Sequence, residues 1–202
     1  VKPSASTTVC VVLAAGASSR MGEAKQLLEL NGQPLVARMS CLALEAGFGA
    51  VVVVTGARRA AVEAVLPGFV HTVYNPNWAT GMGSSVHAGL SAAIELLPEL
   101  QYAGFVLTDQ PYLTSELLQK MLGQLQQSRA PGIAAYYTEG LGVPAIFASH
   151  LFPELLALNG QKGAKPILHK YRESLQSVPF PAGALDLDFP EDWERFLRQE
   201  EL

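Results

Sequence analysis

Long hydrophobic runs are missing from this chain of 202 residues. None approaches the roughly 20 consecutive apolar residues that a membrane-spanning helix needs. No signal-peptide pattern precedes the first apolar segment either, so a soluble, cytoplasmic protein with no membrane partner is expected. Positive charge is also scarce: 14 Lys and Arg stand against 18 Asp and Glu, a net charge of −4. That balance argues against nucleic acid as the main partner, because such binders carry a basic footprint. Cysteine is limited to two residues, Cys10 and Cys41, both inside apolar stretches and far from metal-ligand spacing. They read as buried thiols in a reducing compartment. Low-complexity blocks and linker compositions are absent, which leaves one domain over residues 1–202, with residues 1–8 as a disordered leader.

Four β-branched runs stand out: "VCVVLA" from Val9, "AVVVVT" from Ala50, "FVHTVY" from Phe69 and "AGFVLT" from Ala103. The first, second and fourth are almost continuously apolar, as strands covered on both faces are. Helical spacing separates them: Leu35, Met39, Leu42 and Ala46; then Val62, Val65 and Leu66; then Val86, Leu90, Ala93 and Leu97. Strands alternating with helices predict an α/β domain, three-layered and Rossmann-like, with a mostly parallel sheet. In such sheets the ligand crevice lies beyond the carboxyl ends of the strands. The loops after the four strands should therefore share one rim. Further on, "GIAAYYT" and "GVPAIF" read as strands, with helices around Phe152–Leu158, after "NGQKGAK", and over the last residues.

The loop "LAAGASSRMGEAK", Leu13 to Lys25, fits neither familiar phosphate signature. Five residues separate Gly16 from Gly22 and Lys25 comes three after Gly22, so the P-loop spacing fails. There is no G-x-G, and the second strand ends in Thr55-Gly56 without an acidic residue, so the dinucleotide fingerprint fails as well. What remains is an anion nest. Gly16 and Gly22 free the backbone N–H groups, Ser18 and Ser19 add hydroxyls, and Arg20 and Lys25 supply a planar fork and a point charge. The plain alternative is a βα turn with two solvated cations.

"LTDQP" puts Asp109 just past a buried strand, on the same rim. A carboxylate facing phosphates needs a cation between them, and Mg²⁺ is held by one or two carboxylates plus phosphate oxygens. Asp186 and Asp188 in "DLDFPED" point the same way if extended, whereas Glu191 and Asp192 suit the cap and first turn of a helix. Asp109 and Asp188 are the expected metal ligands.

With these residues in place, the chain resembles the MobA-like nucleotidyltransferases, relatives of the nucleotide-diphospho-sugar transferase-like enzymes. "LAAGASSRMGEAK", "NPNWATGMGSSVHAGL", "LTDQPYL", "GVPAIF", "GQKGAKPIL" and "DLDFPEDW" carry the likeness in order along nearly the whole sequence. Within the family it is most similar to the molybdenum cofactor cytidylyltransferase (MocA) type. The resemblance implies Mg²⁺-dependent transfer of CMP from CTP to the phosphate of molybdopterin, with release of pyrophosphate. It also implies transient contact with a molybdoenzyme or its chaperone. Leu13, Ala14, Ala15, Gly16, Ser18, Ser19, Gly22, Gly81, Ser84 and Ser85 would bind the nucleotide. Arg20, Lys25 and Asp109 would be catalytic, Asp109 and Asp188 would hold Mg²⁺, and Gly142, Val143, Pro144 and "GQKGAK" would face the acceptor. Ala15 stands where GTP-using relatives have glycine, and its methyl would leave less room for a purine, a discrimination of only ~1–3 kcal/mol. The same chemistry with GTP, or with a sugar phosphate or methylerythritol phosphate, is one alternative. A non-catalytic cofactor-binding chaperone is another.

Overall fold

Strand β1 (Thr8–Leu13) is buried along its whole length, and its alternating side chains enter two different cores. Cys10, Val12 and Ala14 face one side, and Val9, Val11, Leu13 and Ala15 the other. This period of two, applied to a continuously apolar run, is why the strand must be covered on both faces. β4 (Ala50–Thr55) and β6 (Tyr102–Leu107) pair with β1 on either side, both parallel. Edge strand β5 (His71–Tyr74) extends the sheet beyond β4 and is mostly exposed.

The computed structural model describes residues 7–138 and 140–200. Its main sheet has seven strands in the order β5-β4-β1-β6-β8-β7-β9. β7 (Gly132–Tyr137) and β9 (Gln176–Pro179) share the direction of β1, and only β8 (Gly140–Ala148) runs the other way. Sequence periodicity did not reveal β9 or the reversal of β8. A small hairpin, β2 (Glu29–Leu30) with β3 (Gln33–Pro34), was equally missed. Its signal was present: Asn31 and Gly32 both have positive φ, 54° and 73°, the requirement of a two-residue hairpin turn.

Helices α1 (Leu35–Glu45) and α4 (Ser115–Gln126) cover one face; α3 (Met82–Leu96), α5 (Phe152–Leu156) and α6 (Lys165–Lys170) cover the other. Short α2 (Arg59–Glu63) adds Val62 to the first core. A third cluster closes the rim. Met21, Leu28, Leu30 and Leu35 pack against Leu187 and Phe196, the latter from the last helix α7 (Pro190–Glu200).

The three-layer, mostly parallel architecture is the one expected. Two details differ. Of the expected leader, residues 1–6 lie outside the described residues, whereas Thr8 is buried and pairs with Tyr102. Cys41 is only half-buried, unlike Cys10, and both thiols are free. No helix among the described residues is long and apolar enough to cross a membrane.

Candidate active site

The chain runs from β1 outward to β4 and β5, then returns to place β6 on the other side of β1. At such a reversal the connections diverge and leave a crevice beyond the strand ends. The loop after β1 stands at this point. It is closed on Gln26, which is 1% exposed. Gln26 Nε2 donates to the carbonyls of Ala14 (3.2 Å) and Gly16 (2.7 Å), and its Oε1 accepts from Ser18 Oγ at 3.1 Å. Ser18, itself at φ 53°, accepts from the Lys25 N–H at 3.1 Å. Ser18 therefore serves the loop's own scaffold. Gly16 and Ser19 lie exposed on its outside, and a methyl group at Gly16 or Gly22 would meet nothing within 4 Å.

That scaffold aims Lys25 and Arg20 at two carboxylates. Lys25 Nζ lies 2.5 Å from Asp109 Oδ2 and 3.4 Å from Asp188 Oδ1, and Arg20 Nη1 lies 2.8 Å from Asp188 Oδ2. Burial alone would lower the Lys25 pKa. The Asp109 charge and hydrogen bond, backed by Asp188, outweigh it and hold the ammonium above its ordinary value. Asp186 is pushed up to about 6, first by burial and then by the Asp109 charge. One oxygen of the little-exposed Asp109, Oδ1, is buried with no hydrogen-bond partner.

Asp188 is brought in from the far end of the chain. Leu187, fully buried, donates its backbone N–H to the Asp109 carbonyl at 3.3 Å. Asp192 Oδ2 then accepts from the N–H groups of Asp188 (3.2 Å) and Phe189 (2.9 Å), so this acid of the first helical turn reaches back to the residues that precede the helix.

Two carboxylates with an ammonium between them and an unpartnered oxygen beside it suit a divalent cation completed by phosphate oxygens. They do not make a closed cage: among the described residues, no cluster of three or more His, Cys, Asp or Glu could hold a metal by itself. The structure thus unites Arg20, Lys25, Asp109 and Asp188. The other residues expected at the nucleotide lie as follows. Leu13, Ala14 and Ala15 are buried. The Ala15 methyl is tucked over Gly56, where a side chain would come within 2.8 Å of it. Buried Asn75 donates to Ser84 Oγ (2.9 Å) and Ser85 Oγ (3.0 Å), so both hydroxyls already hold the turn before α3. Gly81 (φ 126°) and Gly83 pack against the backbone of residues 159–161, and the Gly83 N–H donates to the Gly160 carbonyl at 3.0 Å. Trp78 packs on the core below α3, and His87 Nδ1 pairs with the Leu156 carbonyl at 2.7 Å. Gln26 and Asn75 were overlooked in the sequence. A polar residue directly beside a motif's charged or glycine positions was the available signal.

Residues 10–175 match the MobA-like NTP transferase domain. The chain belongs to that family. PucB, a purine catabolism protein of Bacillus subtilis, is 27% identical over 93% of this MobA-like chain and 95% of its own length. Nicotine blue oxidoreductase of Paenarthrobacter nicotinovorans is 31% identical, covering 79% of this chain and 80% of that protein. Rv0371c of Mycobacterium tuberculosis superposes with a TM-score of 0.82 at 26% identity, over 96% of this chain and all of that one. A manganese complex of Rv0371c superposes with a TM-score of 0.75 at 25% identity, over 95% of this chain and 98% of that one. This MobA-like protein is a nucleotidyltransferase by family.

Proposed function

We propose that the protein transfers CMP from CTP to the phosphate of a molybdopterin-type acceptor, with Mg²⁺ as the cation and pyrophosphate as the second product. The observation that carries this reading is the Lys25 ammonium lodged between Asp109 and Asp188, with Arg20 on the outer oxygen of Asp188. Four charged groups from three distant segments meet where a parallel sheet opens, and nucleotidyl transfer from a triphosphate needs both signs of charge there.

The chemistry requires no strong base. The second pKa of a phosphate monoester is near ~6, so the attacking oxygen is largely ionised at neutral pH. That oxygen forms a bond to the α-phosphorus of CTP as the bond to the β-phosphate oxygen breaks, and the electron pair leaves with pyrophosphate. Lys25 and Arg20 exchange their carboxylate partners for phosphate oxygens, while backbone N–H groups around Gly16 and Gly22 orient the triphosphate. Asp109 and Asp188, released from the two cations, would hold Mg²⁺. The cation supplies neutralisation of the charge that develops between the α-phosphate and the leaving group. Positioning and fixed charge do the rest.

The preference for CTP rests on the resemblance to the cytidylyltransferase type, in which alanine at position 15 stands where GTP-using relatives have glycine. A cytoplasmic setting suits two free thiols, and delivery of the product would bring transient contact with a molybdoenzyme or its chaperone. The test is pyrophosphate release with CTP, GTP, ATP and UTP in parallel, each with Mg²⁺ and molybdopterin. Release with CTP alone is expected. Release with GTP would discard the Ala15 argument, and release only with sugar or methylerythritol phosphates would discard the acceptor. Binding of CTP without turnover on any acceptor would favour the chaperone.

A further inference from the structure

Gln110 follows Asp109 directly, and its side chain turns away from the charged cluster into the protein. It is 2% exposed. Its Nε2 donates to Tyr137 Oη at 2.7 Å and to the Val143 carbonyl at 2.9 Å, and stands 3.5 Å from the Gly183 carbonyl. Three oxygens facing one NH₂ leave no doubt which way the amide points. Its Oε1 is then buried with no donor, which is unfavourable. An apolar side chain of the same shape would carry no such penalty, so packing alone does not account for a glutamine here.

The three oxygens belong to three segments. Tyr137 ends β7, half-buried Val143 immediately precedes the buried part of β8, and Gly183 lies in the 3₁₀ turn Pro181–Ala184 that leads to Asp186 and Asp188. Tyr137 reinforces the junction by donating its own hydroxyl to the Val143 carbonyl. Its pKa, pushed up to about 12 chiefly by burial, keeps that proton in place at working pH. Glycine at 142 and 183 lets the Tyr137 ring lie flush against both backbones. On the other side of the same turn, the Asp109 carbonyl receives the Leu187 N–H. Two consecutive residues after β6 thus tie together the cation-holding carboxylates and the strand expected to face the acceptor.

We propose that Gln110 is a positioning residue, which sets the acceptor strand at Val143 and the 183–188 segment at a fixed distance from Asp109. The inference rests on the transferase reading for its catalytic consequence, but not for the tie itself. The nucleotide half of the site, on β1 and α3, makes no contact with this amide among its hydrogen bonds. Loss of the amide should therefore spare CTP binding and damage the joining step, where a displacement near 1 Å costs about 10²-fold.

The experiment compares the full chain with Gln110→Met, Tyr137→Phe and the double variant. Three quantities are read: CTP affinity with Mn²⁺ by calorimetry, pyrophosphate release, and amide hydrogen exchange. Gln110→Met is expected to keep CTP affinity and to speed exchange within 141–145 and 183–188. Its kcat should fall by about 10²-fold. Tyr137→Phe should shift the same readouts less, and the double variant should be no worse than Gln110→Met, as members of one junction behave. Wild-type turnover or wild-type exchange in Gln110→Met would overturn the proposal. So would a fall in CTP affinity that matches the fall in turnover, because that is general damage. If the wild-type chain joins CMP to a different phosphate, only the acceptor assignment is lost and the kinetic comparison stands with that acceptor. If the wild-type chain releases no pyrophosphate at all, the transferase reading fails, and local exchange alone then supports or overturns the tie.

Discussion

The loop Leu13–Lys25 and the junction of residues 81–83 with 159–163 are both glycine-rich and both lie at the rim. Their glycines serve opposite ends. At Gly16 a methyl group would stand in open space. At Gly81 it would lie 2.5 Å from the Gly160 carbonyl, at Gly83 2.8 Å from Asn159, and at Gly163 2.7 Å from the Met82 sulfur. The first set leaves room outside the chain, beside two cations and two carboxylates. The second lets two stretches of the chain approach each other. Glycine content therefore does not identify an anion cradle; what the absent side chain would have touched does.

If the first loop and its partners are the charged half of the site, Asp109→Ala and Asp188→Ala should lower turnover by about 10³-fold, or roughly 4 kcal/mol. The measurement is pyrophosphate release, with circular dichroism to verify an intact fold. Near-normal rates in both variants would remove the metal assignment.

Lys25→Met should lower turnover by about 10²-fold through loss of charge stabilisation. The same change takes the ammonium from between Asp109 and Asp188. Mn²⁺ without nucleotide should then bind the variant more tightly than the wild type, read by the loss of the free Mn²⁺ paramagnetic resonance signal. Weaker binding would mean that the two carboxylates are not a cation site.

A matched pair of substitutions addresses the glycines. Gly81→Ala meets backbone at a positive φ and should cost about 2–3 kcal/mol of stability in denaturant titration. Gly16→Ala should change stability by less than about 0.5 kcal/mol, yet weaken CTP binding by about tenfold as the cradle fills. Equal destabilisation by the two would erase the distinction between the loops.

The smallest effect concerns Asp186. Its pKa in the folded protein, about 6, lies above the ordinary carboxylate range, so the native state holds a proton that the unfolded chain has released. Stability contributed by this group is present below about pH 4 and is lost as pH rises through 6. Partial solvent contact keeps the loss modest. Denaturation curves between pH 4 and 7 should show a shallower decline for Asp186→Asn than for wild type, and an unchanged slope would exclude this origin.

Much of the candidate site was legible because its residues sit directly after buried strands, in segments rich in glycine and charge. Asp109, Arg20 and Lys25 could be named from those positions alone. Ser84 and Ser85 were named too, but their hydroxyls are engaged by Asn75, a partner ten or fewer positions away that no periodicity marks. Gln26 and Gln110 escaped for a related reason. An uncharged amide gains its role from the carbonyls that surround it, and those are assembled by the fold.

By itself the sequence determined the buried inner strands, because a run such as "VCVVLA" can satisfy its side chains only when buried on both faces. It also determined the parallel rim, through helices that separate the strands, and the chemical character of the loops there. Tertiary structure decided which charges meet. Arg20 and Asp188 are 168 positions apart and stand 2.8 Å from each other. Nothing local brings them together: burial of Leu187 and Phe196 against Met21, Leu28 and Leu35 docks the C-terminal segment on the first loop. Local pattern records what a residue can do, whereas partners distant in the chain are selected by the joint packing of all the elements between them.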